Sequence, residues 1–107
     1  MPRWAARTDK TQSTIVERLR SLDVIVRVTS NVGQGFPDLV CLDPWTRVIF
    51  LVEVKDGAKT PSQRKLTPDE QRFFNEWLGC VQIVSSLEEA DTLVNQVRER
   101  GHAPHTP

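Results

Sequence analysis

The chain is poor in the features that mark several large protein classes. No apolar run approaches the roughly 20 residues that cross a bilayer, so no stretch reads as a membrane span. The opening MPRWAARTDK has no apolar h-region, which reads against a secretory signal. Only two cysteines occur, Cys41 and Cys80, and they lack metal-ligand spacing. Each sits beside or within an apolar stretch, so both read as reduced, buried and structural in a cytoplasmic protein, a disulfide being the lesser alternative. The two histidines, His102 and His105, lie in the terminal GHAPHTP and receive no role. No internal repeat is evident. Formal net charge is zero at pH 7, so bulk charge points to no partner.

What remains describes an ordinary globular domain. The 107 residues, 38% hydrophobic and 26% charged, suffice for one compact unit with a single core. Residues 1–8 read as a flexible arm, 9–100 as the domain and 101–107 as a disordered tail. Charge is uneven along the chain. Lys55, Lys59, Arg64, Lys65 and Arg72 make the middle basic, while Glu88, Glu89, Asp91 and Glu99 make the last helix acidic. One side of a neutral molecule can therefore be basic, a weak sign of a polyanion partner.

The pattern predicts the order α-β-β-β-α-β-α. Ile15, Val16, Leu19 and Leu22 fall on one helical face of residues 9–22. DVIVRVT alternates and reads as a strand. SNVGQGFP is a loop, punctuated by two glycines and a proline. DLVCL and RVIFLVEVK are apolar strands joined by the turn DPWT, hence an antiparallel hairpin. After the polar DGAKTPSQRK, a helix starts at Thr67 with Pro68 at its first position and Glu70 completing a capping box. Phe73, Phe74, Trp77 and Leu78 are expected to form its buried side, with Gly79 ending it. CVQIVSS is a strand, and LEEADTLVNQVRER a helix capped by Ser85 or Ser86. A strand, crossover helix and strand add a parallel pair to the hairpin, giving a mixed sheet flanked by helices.

Three charges stand out in the hairpin. Asp38 opens one strand, and Glu53 and Lys55 sit near the end of the next. Burying a charge is expensive unless it is paired or bound to a metal. Glu53 and Lys55 are two apart, so they project from one face. Their distance along the chain from Asp38 fits a down-and-back hairpin, so all three can converge at one end of the sheet. Two close carboxylates repel unless a cation lies between them. An oxygen-only site of this kind suits Mg²⁺. Taken singly, each charge also fits a turn or a solvated strand face.

These residues resemble a nuclease family. Pro37-Asp38, then Glu53-Val54-Lys55, is similar to the PD-(D/E)xK pattern, nearest to small stand-alone VRR-NUC and Holliday-junction-resolvase-like members, several of them phage-encoded. The context is SNVGQGFPDLV, an apolar run into EVKDG, and LTPDEQRFF, from about Asp9 to Ala90. The resemblance implies a restriction-endonuclease-like α/β core and DNA hydrolysis with Mg²⁺ or Mn²⁺. Asp38, Glu53 and the Val54 carbonyl would hold the metal, Lys55 would be the catalytic lysine, and Gln71 would reach the site. Ser30 is in a loop where such relatives carry a functional serine. Where the resolvase pattern has a glutamate on the first helix, this chain has Gln12, with Asp9 as another substitute.

The implied partners are DNA and a second copy of the chain, in the cytoplasm of a bacterial or phage-infected cell. Lys59, Arg64 and Lys65 are candidates for phosphate contact, with a solvated loop as the equal alternative. The rival functional readings are a non-catalytic DNA-binding or assembly module on the same fold, or a plain interaction domain.

Overall fold

The computed structural model describes residues 3–102, with side chains from Lys10 to Gly101. The elements in order are α1 (Arg3–Ser21), β1 (Ile25–Val28), β2 (Leu39–Asp43), β3 (Val48–Val54), α2 (Pro68–Glu76), β4 (Gln82–Val84) and α3 (Leu87–His102). A short 3-10 turn, Pro61–Arg64, interrupts the loop before α2. The predicted order holds. α1 starts at Arg3 rather than at Asp9, because Ala5, Ala6 and Arg7 are strong helix formers. It stops where Asp23 takes a left-handed conformation, at φ 68°. α3 likewise runs on to His102, past the expected end of the domain. The remainder of the predicted tail lies outside the described residues.

The four strands lie in the order β1-β2-β3-β4, antiparallel through β3 and parallel between β3 and β4. The parallel step is the crossover through α2 that the sequence implied. Register divides the side chains between two faces. On one, Val26 pairs with Cys41 and Cys41 with Phe50, while Leu39 pairs with Val52. All five are buried, together with Val84 of β4. Ile15, Val16 and Leu19 of α1, and Ala90, Leu93, Val94 and Val97 of α3, close over them to complete the core. Both long helices therefore cover the same face.

The opposite face is left more open. Ile25 pairs with Leu42 and Leu42 with Ile49, yet Ile25 and Ile49 are exposed. Continuing the β2–β3 register by one residue sets Asp38 opposite Glu53 on this face. The far end of the sheet is tied by Asp43, fully buried at the end of β2. It accepts hydrogen bonds from Thr46 at 2.8 Å and from Arg98 of α3 at 3.1 Å.

Two expectations about packing fail. α2 forms with the predicted cap but buries none of its residues. Phe73 and Phe74 are half-buried, and Trp77 and Leu78 are exposed, because this helix is a crossover at the rim of the sheet and not part of the two-helix layer. Cys41 is buried as expected, whereas Cys80 is exposed, since it falls in the turn after α2 rather than in β4.

Candidate active site

The site is built where β2 begins and β3 ends. Asp38 accepts a hydrogen bond from the Val54 N–H at 2.8 Å, so the backbone of one hairpin strand fixes the carboxylate of the other. Glu53 is 4% exposed. Lys55 stands on the same face, its Nζ 3.5 Å from Glu53 Oε2. A third carboxylate joins from α2: Glu70 Oε1 lies 2.7 Å from Lys55 Nζ and also accepts the Thr67 N–H at 2.9 Å. The capping box that starts α2 thereby aims Glu70 at the sheet.

Three carboxyl groups crowd round one ammonium. Burial, its hydrogen bond to Glu70 and the charges of Asp38 and Glu70 push the Glu53 carboxyl up to about 9. Burial also raises Asp38, against the opposing pull of the Val54 N–H. Burial would raise Glu70 as well, but the hydrogen bonds from Glu53 and Lys55 outweigh it and hold Glu70 below its usual range. Lys55 is raised; the partnership with Glu70 and Glu53 exceeds the lowering effect of its own burial. Lys55 is thus a firm cation, and Glu53 and Asp38 are carboxyls short of one.

The loop before β2 is shaped to reach this cluster. Gly35 has φ 79°, and a Cβ there would collide with the Asp69 carbonyl. Only glycine lets residues 30–36 nest against the start of α2. A small cavity lined by Gly35, Pro37, Glu53, Glu70 and Phe73 marks the junction of loop, sheet and helix.

The search of solved structures returns a chain titled "VRR_NUC domain", 32% identical, with a TM-score of 0.56. The match covers 81% of this chain and 92% of that one. The chain belongs to the VRR-NUC family. No family model matches it, and no curated protein does. The mixed sheet flanked by helices is the fold expected from the PD-(D/E)xK resemblance.

Within this VRR-NUC domain the predicted residues separate into groups. Asp38, Glu53 and Lys55 come together. Gln12 is buried on α1 and lies 3.4 Å from Ser30 Oγ, so the first helix and the loop before β2 do meet. Among the described residues, no hydrogen bond joins that pair to the carboxylates. The side chain of Asp9 lies outside the described residues. Gln71 is exposed and donates to Asn75 at 2.9 Å, so it is not among the groups that converge on Lys55. Glu70, beside it, is the residue that sequence reasoning passed over. Part of its signal was present: the N3 carboxyl of a Thr-x-x-Glu box turns back toward the N-cap, and the fold sets that N-cap beside Lys55. Lys59 and Lys65 are exposed, and Arg64 is half-buried with an Nε that has no hydrogen-bond partner.

No three His, Cys, Asp or Glu side chains among the described residues form a ready-made metal cage. The oxygen donors that converge at the site are the Asp38 and Glu53 carboxyls. An ion that keeps part of its water shell suits such a set. No helix among the described residues is long and apolar enough to cross a membrane.

Proposed function

We propose that the protein is a divalent-metal-dependent DNA endonuclease that hydrolyses phosphodiester bonds. One observation carries the reading: Asp38 lies opposite Glu53, with Lys55 following on the same face, in a chain of the VRR-NUC family. Asp38, Glu53 and the Val54 carbonyl would hold Mg²⁺ or Mn²⁺. The oxygen-only donors suit a hard divalent ion, whose binding would release the proton that the Glu53 carboxyl otherwise holds. Bound there, the ion would supply Lewis acidity at a phosphoryl oxygen and a water of lowered pKa.

The chain's own groups divide the remaining work. Lys55 stays protonated, so it acts as a cation and not as a base. It can orient the attacking water or offset charge on the pentavalent phosphate. Glu70 holds the Lys55 ammonium in place. The Val54 N–H holds Asp38. Lys59, Arg64 and Lys65 lie on the segment between Lys55 and Glu70, where the exposed Lys59 and Lys65 can meet phosphate oxygens. Gln12 offers the first-helix position an amide in place of a charge, so metal affinity rests on fewer carboxylates.

A non-catalytic DNA-binding module is the second reading. The ion pairing of Lys55 with both Glu70 and Glu53 favours it, since the cluster is already partly closed. Cleavage of labelled duplex, flap and four-way-junction DNA in Mg²⁺ or Mn²⁺ separates the two. Metal-dependent cutting that Asp38→Ala and Lys55→Ala both abolish supports the nuclease, and the preferred substrate shows whether it selects junctions or flaps. Absence of cutting by folded protein at every metal concentration leaves the binding module. A cytoplasmic homodimer completes the reading. The exposed Ile25 and Ile49 on the open sheet face would suit a second copy, and sedimentation of the intact protein tests it.

A further inference from the structure

We propose that Trp77, with Leu78 beside it, is a stacking subsite for an unpaired nucleobase of the DNA substrate. Its placement relative to the scissile phosphate rests on the nuclease reading; the subsite itself rests on separate observations.

α2 buries none of its residues, so its aromatic side chains are not core. Trp77 is 47% exposed and Leu78 88%. Contiguous apolar surface of this kind on a small domain marks a binding site more often than isolated exposed residues do. The rings are ordered into a ladder. Phe36 meets Phe73 edge to face, with centroids 5.3 Å apart. Phe73 then stacks on Trp77 at 4.9 Å, their planes within 10° of parallel. Phe73 thus covers one face of the indole while the residue as a whole stays half open. A parallel aromatic stack that ends in an exposed indole is the arrangement a base extends, because every base offers a π-face.

The ladder is continuous with the carboxylate cluster. Phe36 immediately precedes Pro37 and Asp38, and Phe73 lines the same small cavity as Glu53 and Glu70. Trp77 follows Glu70 by two helical turns, about 10 Å along the axis. A stacked strand rises about 3.4 Å per nucleotide, so the indole would meet a base roughly three nucleotides from the phosphate at the cluster. Lys59, Arg64 and Lys65 lie on the segment that leads into α2, at the other end of that helix from Trp77. Leu78 adds a further mark. It holds a left-handed backbone conformation, φ 55°, with its side chain in solvent. A bulky residue there is strained, and an exposed apolar wedge is the usual means of parting a base step.

The test is binding without chemistry. A short fluorescein-labelled oligodeoxythymidylate, and the same oligomer with its bases removed, are titrated in EDTA against wild type, Trp77→Ala, Trp77→Phe and Asp38→Ala. Circular dichroism establishes that each variant is folded. The expected result is a loss of roughly 5- to 100-fold for Trp77→Ala on the intact oligomer. Trp77→Phe retains most of the affinity, and the abasic oligomer binds wild type and Trp77→Ala alike. Equal binding of the intact oligomer by wild type and Trp77→Ala overturns the proposal. So does an equal loss on both oligomers, which would make the effect one of phosphate contact or fold. So does a wild-type dimer that Trp77→Ala converts to monomer, since the face would then belong to a second copy. Trp77-dependent binding in a protein that never cuts DNA supports the subsite and overturns the nuclease reading alone.

Discussion

Lys55 and Glu70, fifteen residues apart in sequence, are held 2.7 Å apart across the boundary between β3 and α2. Glu70 has two duties in this geometry, as N3 cap and as counter-ion. Glu70→Gln keeps the amide oxygen for the Thr67 N–H and removes the charge. The expected outcome is a folded protein whose half-saturating Mg²⁺ concentration for cleavage rises several-fold, because affinity follows the charge around the ion. Glu70→Ala should in addition lose about 1 kcal/mol of stability with the cap. A metal titration unchanged in Glu70→Gln would reduce Glu70 to a cap.

Stability without metal should fall as pH rises. The Glu53 carboxyl is pushed up to about 9 in the folded chain, far above its unfolded value near 4.5. Between those values the folded state holds a proton that the unfolded state releases. Raising pH through that window therefore costs stability, at most about 1.4 kcal/mol per pH unit for one proton. Thermal melts in EDTA from pH 5 to 9 should show a declining midpoint, and Glu53→Gln should flatten the decline. A profile that rises across this range would contradict the crowding of carboxyls at the site.

Arg98→Ala tests the other end of the sheet. It removes the cation from the fully buried Asp43 and also the donor to the Leu22 carbonyl. An uncompensated buried carboxylate should lower stability by about 3 kcal/mol. Urea denaturation measures this. Cleavage per folded molecule should be unchanged, since Asp43 and Arg98 lie at the opposite end of β2 from Asp38.

Gly35→Ala should damage both stability and activity. The new methyl meets the Asp69 carbonyl, and the backbone at φ 79° disfavours any side chain. A loss of about 2–3 kcal/mol is expected from the combined strain and overlap. Because the loop then withdraws from α2, cleavage should fall even in the cold, where the variant is fully folded. Wild-type activity at low temperature would mean that the loop's position is irrelevant to the site.

The sequence made much of this legible, for identifiable reasons. Alternation and turn chemistry located β2 and β3, and a spacing of two put Glu53 and Lys55 on one face. Gln12, three residues before Ile15, shares the buried α1 face with Ile15, Val16 and Leu19. The register that sets Asp38 against Glu53 followed from a hairpin with a short turn. What misled was α2. Phe73, Phe74, Trp77 and Leu78 have the spacing of a buried stripe, but periodicity does not say whether a partner layer exists. Both long helices occupy the other face of the sheet, so that stripe has nothing to pack under. Gln71 came from the resemblance alone, and Glu70 was legible only as a cap, because its pairing with Lys55 depends on where the fold sets the start of α2.

The chain leaves the site at Lys55 and returns to it at Glu70, and the ion pair between them acts as a clasp on the hoop formed by residues 56–69. Lys59, Arg64 and Lys65 ride on that hoop. If a phosphate draws the Lys55 ammonium away from Glu70, the clasp opens and the hoop is released from one of its moorings. Grip on the strand and readiness for chemistry would then report on one another through a single contact. Exchange of the Lys59 and Arg64 amides, each hydrogen-bonded within the hoop, should be slower while the clasp is shut and faster once an unreactive strand is bound.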